Sequence, residues 1–150
     1  MNAFALLKAD HHKVAQMMDK IEQTTERGVK TREELFTKLK TELDLHAQIE
    51  EKIFYPALEG ARETHEITLE AYEEHGLIKQ LLSELESMSK NDEQWTAKFS
   101  VLKENVEHHV EEEEGAMFSK ARKVLSKIDQ QTLGTRLERA KAEKAETKKD

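Results

Sequence analysis

HAQIEEKIFYPAL, residues 46–58, sets a histidine, two adjacent glutamates and a proline inside a stretch that otherwise reads as helix. The fold turns on which way His46 and Glu50 point. Four residues apart, they lie one above the other on one helix face. That face runs upstream through Leu43 and Leu39 and downstream to Phe54. The pair therefore stands on an apolar stripe, and an inward histidine and glutamate need something to satisfy them. Pro56 lacks an amide hydrogen and clashes with the preceding turn, so it is expected to kink or end the helix. Gly60 lies just beyond.

The same spacing of apolar residues recurs in three further stretches. The first runs from about Ala3 to Glu26, with Phe4, Leu7, Val14, Met18 and Ile21 on one stripe, and Gly28 breaks it. Thr31 followed by Glu34 reads as a capping box opening the second helix. The third runs from about Thr64 to Ser89, with Ile78, Leu82 and Leu85 inward. SKND (89–92) is a turn with a cap at Asn91 or Asp92, and the fourth helix starts near Glu93, carrying Phe99, Leu102, Val106, Val110 and Met117. A shorter fifth helix is expected after Asp129. Short connections between long amphipathic helices imply an all-α, up-down-up-down four-helix bundle with a short C-terminal helix. The bundle domain is assigned to residues 1–138, and 139–150 form a charged tail, either a solvated helix or disordered. Trp95, at a helix start, is expected as a staple or lid over the bundle end.

Each helix carries one histidine on its inward stripe: His11, His46, His75 and His109. Helices two and four add a glutamate four residues later, Glu50 and Glu113. An internal repeat supports the pattern. DHHKVAQMMDKIE (10–22) aligns with EHGLIKQLLSELE (74–86) at an offset of 64, and HAQIEE (46–51) with HVEEEE (109–114) at an offset of 63. The chain reads as two copies of one helical hairpin. His12, His65 and His108 fall off the stripes and are assigned to the surface. The next phenylalanine comes eight residues after His46 but nine after His109, which suggests a residue inserted near Gly115. Glu114 could then replace Glu113 if the helix carries a local bulge.

Two buried carboxylates without partners would each cost several kcal/mol or take up a proton. Metal coordination removes that cost. Two imidazoles per hairpin suit two metals, with one glutamate from each hairpin bridging them. With an oxide or hydroxide bridge, each metal has two nitrogens and three oxygens, and one octahedral position is open. Mixed imidazole and carboxylate donors favour iron or manganese over calcium or magnesium.

DHHKV, HAQIEEKIFYPAL, EEHGLIKQLL and EHHVEEEEGAMFSKAR together resemble the hemerythrin-like family, in particular its bacterial HHE cation-binding members, over roughly residues 4–125. The resemblance implies His11 and His46 on one iron, His75 and His109 on the other, and Glu50 and Glu113 bridging. Oxygen carriers of the family place a further histidine four residues from the third-helix histidine. Here those positions are Ala71 and Lys79, so that iron is expected to be more open or bound by water, with Tyr72 a neighbour. The expected cofactor is two iron ions in an oxo- or hydroxo-bridged centre. The expected function is binding of O2, NO or peroxide at an open iron position, for sensing, storage or protection against oxidative or nitrosative stress. Catalase-like or peroxidase-like turnover and an iron-handling regulatory module are the alternatives.

Composition narrows the classes further. A net charge of −7 argues against nucleic acid as a partner, which would need a basic face. With no cysteine, disulfides, thiolate metal sites and cysteine nucleophiles are excluded. No apolar run reaches membrane-spanning length and MNAFALLKADHH does not read as a signal peptide, so a cytoplasmic location with no membrane partner is expected.

Overall fold

The computed structural model describes the chain from Met1 to Lys149, with side chains as far as Lys144. Its helices are α1 (Ala3–Glu22), α2 (Val29–Ile49), α3 (Tyr55–Glu59), α4 (Arg62–Ser87), α5 (Glu93–Glu112), α6 (Phe118–Val124) and α7 (Lys127–Lys149), and there is no strand among the described residues. A π-helical turn, Glu50–Phe54, joins α2 to α3 without a break, and a second, Glu113–Met117, joins α5 to α6. The result is five helical rods. The first four make the bundle that the short connections predicted, and α7 packs along α1 and α2.

Local hydrogen bonding explains where these rods begin. Asn2 Oδ1 accepts from the Ala5 amide at 2.9 Å and opens α1. Asp92 Oδ1 accepts from the Gln94 amide at 2.9 Å, the cap that SKND predicted. Ser126 and Asp129 exchange side-chain-to-amide bonds of 3.1 and 3.2 Å, so α7 begins at Lys127, ahead of the expected start. It then runs as one helix past Arg139, and the side chains beyond Lys144 lie outside the described residues.

Three expectations need correction. α1 stops at Glu22, short of Gly28. The capping box expected of Thr31 and Glu34 does not form, because α2 starts at Val29 behind Gly28 and Thr31 is already inside it. Pro56 does not end its helix. It sits in the first turn of α3, directly after the π turn, and the rod continues to Glu59. The π turn returns the Tyr55 amide to the Glu50 carbonyl, five residues back. The wider turn has already taken the backbone out of α register where the proline ring would clash.

The bundle interior has two apolar halves. Val14, Met18, Leu39, Leu82, Phe99 and Leu102 belong to one. Phe4, Leu7, Phe54, Met117, Phe118 and Leu137 belong to the other. Trp95 closes the first half as a lid: it is 1% exposed, stacks on Phe99 at 5.4 Å and donates Nε1–H to the Leu85 carbonyl at 3.0 Å. The Arg32 guanidinium lies 4.8 Å above its ring and donates to the Thr24 and Lys90 carbonyls at 2.9 and 3.0 Å, tying three segments at that end. Between the two halves lies a polar layer.

Candidate metal centre

The polar layer contains all six residues singled out from the sequence. His11 comes from α1, His46 from α2, His75 from α4 and His109 from α5, and each is buried. Glu50 and Glu113 open the two π turns and are 0% and 1% exposed. They fall into two groups, His11–His46–Glu50–Glu113 and Glu50–His75–His109–Glu113. Within each group the potential ligand atoms lie within 4.8 Å of one another. Both glutamates belong to both groups, which is the geometry of two adjacent cation positions sharing two carboxylates.

All four imidazoles turn Nε2 inward. His11 and His46 bring these nitrogens to 3.2 Å, and His75 and His109 to 3.1 Å. Glu50 Oε1 lies 3.1 Å from His46 Nε2 and 3.2 Å from His75 Nε2. Glu113 Oε1 lies 3.2 Å from His11 Nε2, and its Oε2 lies 3.2 Å from His109 Nε2.

Every outward nitrogen has its own carboxylate. His11 Nδ1 meets Glu114 at 2.6 Å, His46 meets Asp10 at 3.1 Å, His75 meets Glu51 at 2.8 Å and His109 meets Glu74 at 2.5 Å. Donation from Nδ1 fixes the tautomer, assigned here from this network, and leaves Nε2 as a lone pair aimed at the centre. Asp10 and Glu74 precede the histidines of the odd helices, and Glu51 and Glu114 follow the motif glutamates. The sequence carried this signal, since the acid recurs in both copies. Glu51 sits at the edge of the layer, with 25% of its side chain exposed, and holds His75.

Opposed lone pairs show what is missing. Glu50 Oε2 and Glu113 Oε1 are buried with no hydrogen bond, the approach of His11 Nε2 to the latter lacking hydrogen-bond geometry. Tyr55 Oη lies 2.6 Å from Glu113 Oε2, 3.2 Å from Glu50 Oε1, 3.1 Å from His75 Nε2 and 3.3 Å from His109 Nε2. It has one hydrogen for all of them. Acceptors outnumber donors throughout the layer, and only protons or cations can balance it.

In the metal-free chain protons do so. Burial works against charging His11, His46 and His109, and the carboxylates outweigh it. Glu50 and Asp10 hold His46 well above its ordinary value, Glu113 and Glu74 raise His109 to about 10, and Glu113 raises His11. Burial opposes ionisation of Glu50 too, yet His46 and its neighbours hold it well below the ordinary carboxylate value. Burial, then Glu50 and Glu113, push the Tyr55 hydroxyl well above its ordinary value, so it stays protonated.

The choice between Glu113 and Glu114 has a structural answer at the level of placement. Glu113 faces the interior; Glu114, with 32% of its side chain exposed, turns to His11 Nδ1. The local bulge expected near Gly115 is there, as the π turn Glu113–Met117, but it is no insertion relative to the first copy. Both copies carry a π turn at the same place, so Met117 matches Phe54 and Phe118 matches Tyr55. Each turn buries two consecutive residues, Phe54 and Tyr55 in one rod and Met117 and Phe118 in the other. Tyr55 was missed because an α-helical phase puts position 55 off the stripe. Tyr72, expected as a neighbour of the open position, instead bonds the Glu51 carbonyl at 3.4 Å and packs its ring on Tyr55 at 5.3 Å. His12, His65 and His108 are exposed.

On the side of the histidine layer away from Tyr55, a cavity of about 30 Å³ is lined by the four histidines and by Val14, Leu43, Ile78, Leu82 and Val106. No helix among the described residues is long and apolar enough to cross a membrane.

The family model of the hemerythrin HHE cation binding domain matches residues 2–121. A crystal structure of a hemerythrin HHE cation binding domain-containing protein from Mycobacterium kansasii is similar, with a TM-score of 0.82 at 26% identity, covering 95% of this chain and 89% of that one. A DNA nickase of Nostoc sp. (strain PCC 7120) is 26% identical over 145 residues. That match takes in 95% of this chain and 40% of the relative, so the chain spans well under half of the relative's length.

Proposed function

This chain belongs to the hemerythrin HHE cation-binding domain family, and on that premise we propose that it is a non-haem di-iron protein that binds a small oxidising or radical ligand, O2, NO or peroxide. His11 and His46 would hold one iron and His75 and His109 the other, with Glu50 and Glu113 within reach of both. The observation that carries this reading is the pair of buried glutamate oxygens without a hydrogen bond, each amid inward Nε2 lone pairs. Four imidazoles with two carboxylates suit iron or manganese rather than the all-oxygen shells of calcium and magnesium. Bound iron supplies an electron-accepting and electron-donating centre with a coordination position left for an outside ligand.

The surrounding residues set what can reach that centre. A cavity of about 30 Å³ has room for a molecule of two heavy atoms and not for an organic substrate. Its Val, Leu and Ile walls favour a small apolar ligand, although Asp44 and Lys79 also line it. The four outer carboxylates fix the imidazole planes, and their charge makes the rings stronger donors. Aerobically purified protein with iron should show near-ultraviolet bands that shift on adding NO or peroxide. Iron-loaded protein whose spectrum ignores all three ligands would rule out the ligand-binding role.

A second reading is turnover of peroxide. Tyr55 favours it, because its hydroxyl is a protonated O–H held between Glu50 and Glu113 and would stand there as a proton donor. Oxygen release from peroxide that is lost in Tyr55→Phe would support this reading, and equal rates would remove it. DNA cleavage, the activity named for the Nostoc relative, is not extended to this chain, which covers 40% of that relative and carries a net charge of −7.

A further inference from the structure

α7 lies beyond the region that the family model matches, which stops at residue 121. It is nevertheless fitted closely against the bundle. Leu133 and Leu137 are buried in the apolar half that holds Phe4 and Leu7. Gly134 passes so near the start of α1 that a Cβ there would run into the Met1 carbonyl oxygen and the Ala3 amide nitrogen. This docking brings Lys141 over α1, where its Nζ donates to Asp10 Oδ1. The other oxygen of Asp10 accepts from His46 Nδ1 at 3.1 Å. Asp10 is 7% exposed, so its orientation depends on these two partners rather than on water.

We propose that Lys141 is a positioning residue of the metal centre, and that through it the fifth helix sets the affinity of one metal position, the one served by His11 and His46. Lys141 fixes the Asp10 carboxylate, and Asp10 fixes the plane of the His46 ring. The other metal position has a more exposed counterpart within the bundle: Lys79 of α4, with half of its side chain exposed, donates to Glu51 at 3.3 Å, and Glu51 accepts from His75 Nδ1 at 2.8 Å. Glu74, which matches Asp10, holds His109 but faces His108 and Glu112 instead of an ammonium. At the matched carboxylates Asp10 and Glu74 the two positions are thereby made unlike by a helix outside the repeat. The inference rests on the proposed two-iron reading.

The test is an anaerobic Fe(II) titration of full-length wild type and three variants. In Lys141→Met, one of the two iron positions should weaken about tenfold while the other is unchanged, the size expected for losing an outer partner of a ligand. Lys141→Arg should restore it. Glu138→Gln, which removes a 3.8 Å contact between α7 and the Met1 amino group without touching Asp10, should leave both positions as in wild type. In the metal-free protein the His46 Nδ1–H should exchange with solvent faster in Lys141→Met. Unchanged affinities in Lys141→Met, or equal weakening of both positions matched by Glu138→Gln, would overturn the role of Lys141 and leave the two-iron reading intact. Wild type that takes up no second iron would sink that reading itself.

Discussion

Glu50 and Glu113, 63 residues apart in the sequence, occupy matching places: each is the fourth residue after a site histidine, opens a π turn and leaves one buried oxygen without a hydrogen bond. Each also lies within reach of both histidine pairs. A shared glutamate and an unshared histidine should therefore fail differently. Glu50→Ala or Glu113→Ala should cost both metals, bringing content from about two per chain to below about one, whereas His46→Ala should remove mainly one. Elemental analysis of protein purified from iron-supplemented growth reads this directly. Equal losses in all three variants would contradict the sharing.

Tyr55 is where the two halves part company, because its counterpart is Phe118. Its hydroxyl supplies hydrogen to an acceptor-rich layer, so Tyr55→Phe leaves Glu113 short of a donor while the ring still fills its place. The metal-free variant should lose about 1–3 kcal/mol in denaturant unfolding. Loaded with metal, which then takes up the carboxylate oxygens, it should lose less. The same loss with and without metal would mean that the hydroxyl acts only as packing.

Metal-free and metal-loaded protein should respond to pH in opposite ways. His46 and His109 are raised in the folded chain, His109 to about 10. A raised imidazole contributes stability that is full below its unfolded value of about 6.5 and is lost as pH climbs through the folded value. The melting temperature of chelator-treated protein should thus fall between about pH 6.5 and 10. Metal requires the same imidazoles deprotonated, so its affinity should rise over that range with release of protons. Scanning calorimetry with and without metal should show the gap between the two melting curves widening as pH rises. A constant gap would contradict the shared use of these rings.

Gly134 tests the seating of α7. Gly134→Ala places a methyl group against the Met1 carbonyl and the Ala3 amide, backbone atoms that cannot move aside cheaply. It should destabilise the chain by about 1–3 kcal/mol, although alanine is the better helix former. Thermal melts of the two proteins decide the sign, and a stabilised variant would mean that α7 is not held as described.

Most of the bundle and the inner site could be read from the sequence because period and repeat coincide. Histidines at inward positions of four amphipathic stripes, two with a glutamate four residues on, place six side chains in one layer. What stayed hidden depends on the π turns. One extra residue per turn shifts the helix phase, and this buries Tyr55 and Phe118 and lets Pro56 sit inside a rod. Periodicity has no term for such a shift. The link from Lys141 to Asp10 was hidden for another reason: the two lie 131 residues apart, and only the docking of α7 brings them together.

The central claim is tested most directly by titrating metal-free wild-type protein with Fe(II) under anaerobic conditions and following binding to its end point. The account predicts a break at about two irons per chain, one for each pair of imidazoles. A break at one iron, or no saturable binding at all, would contradict it.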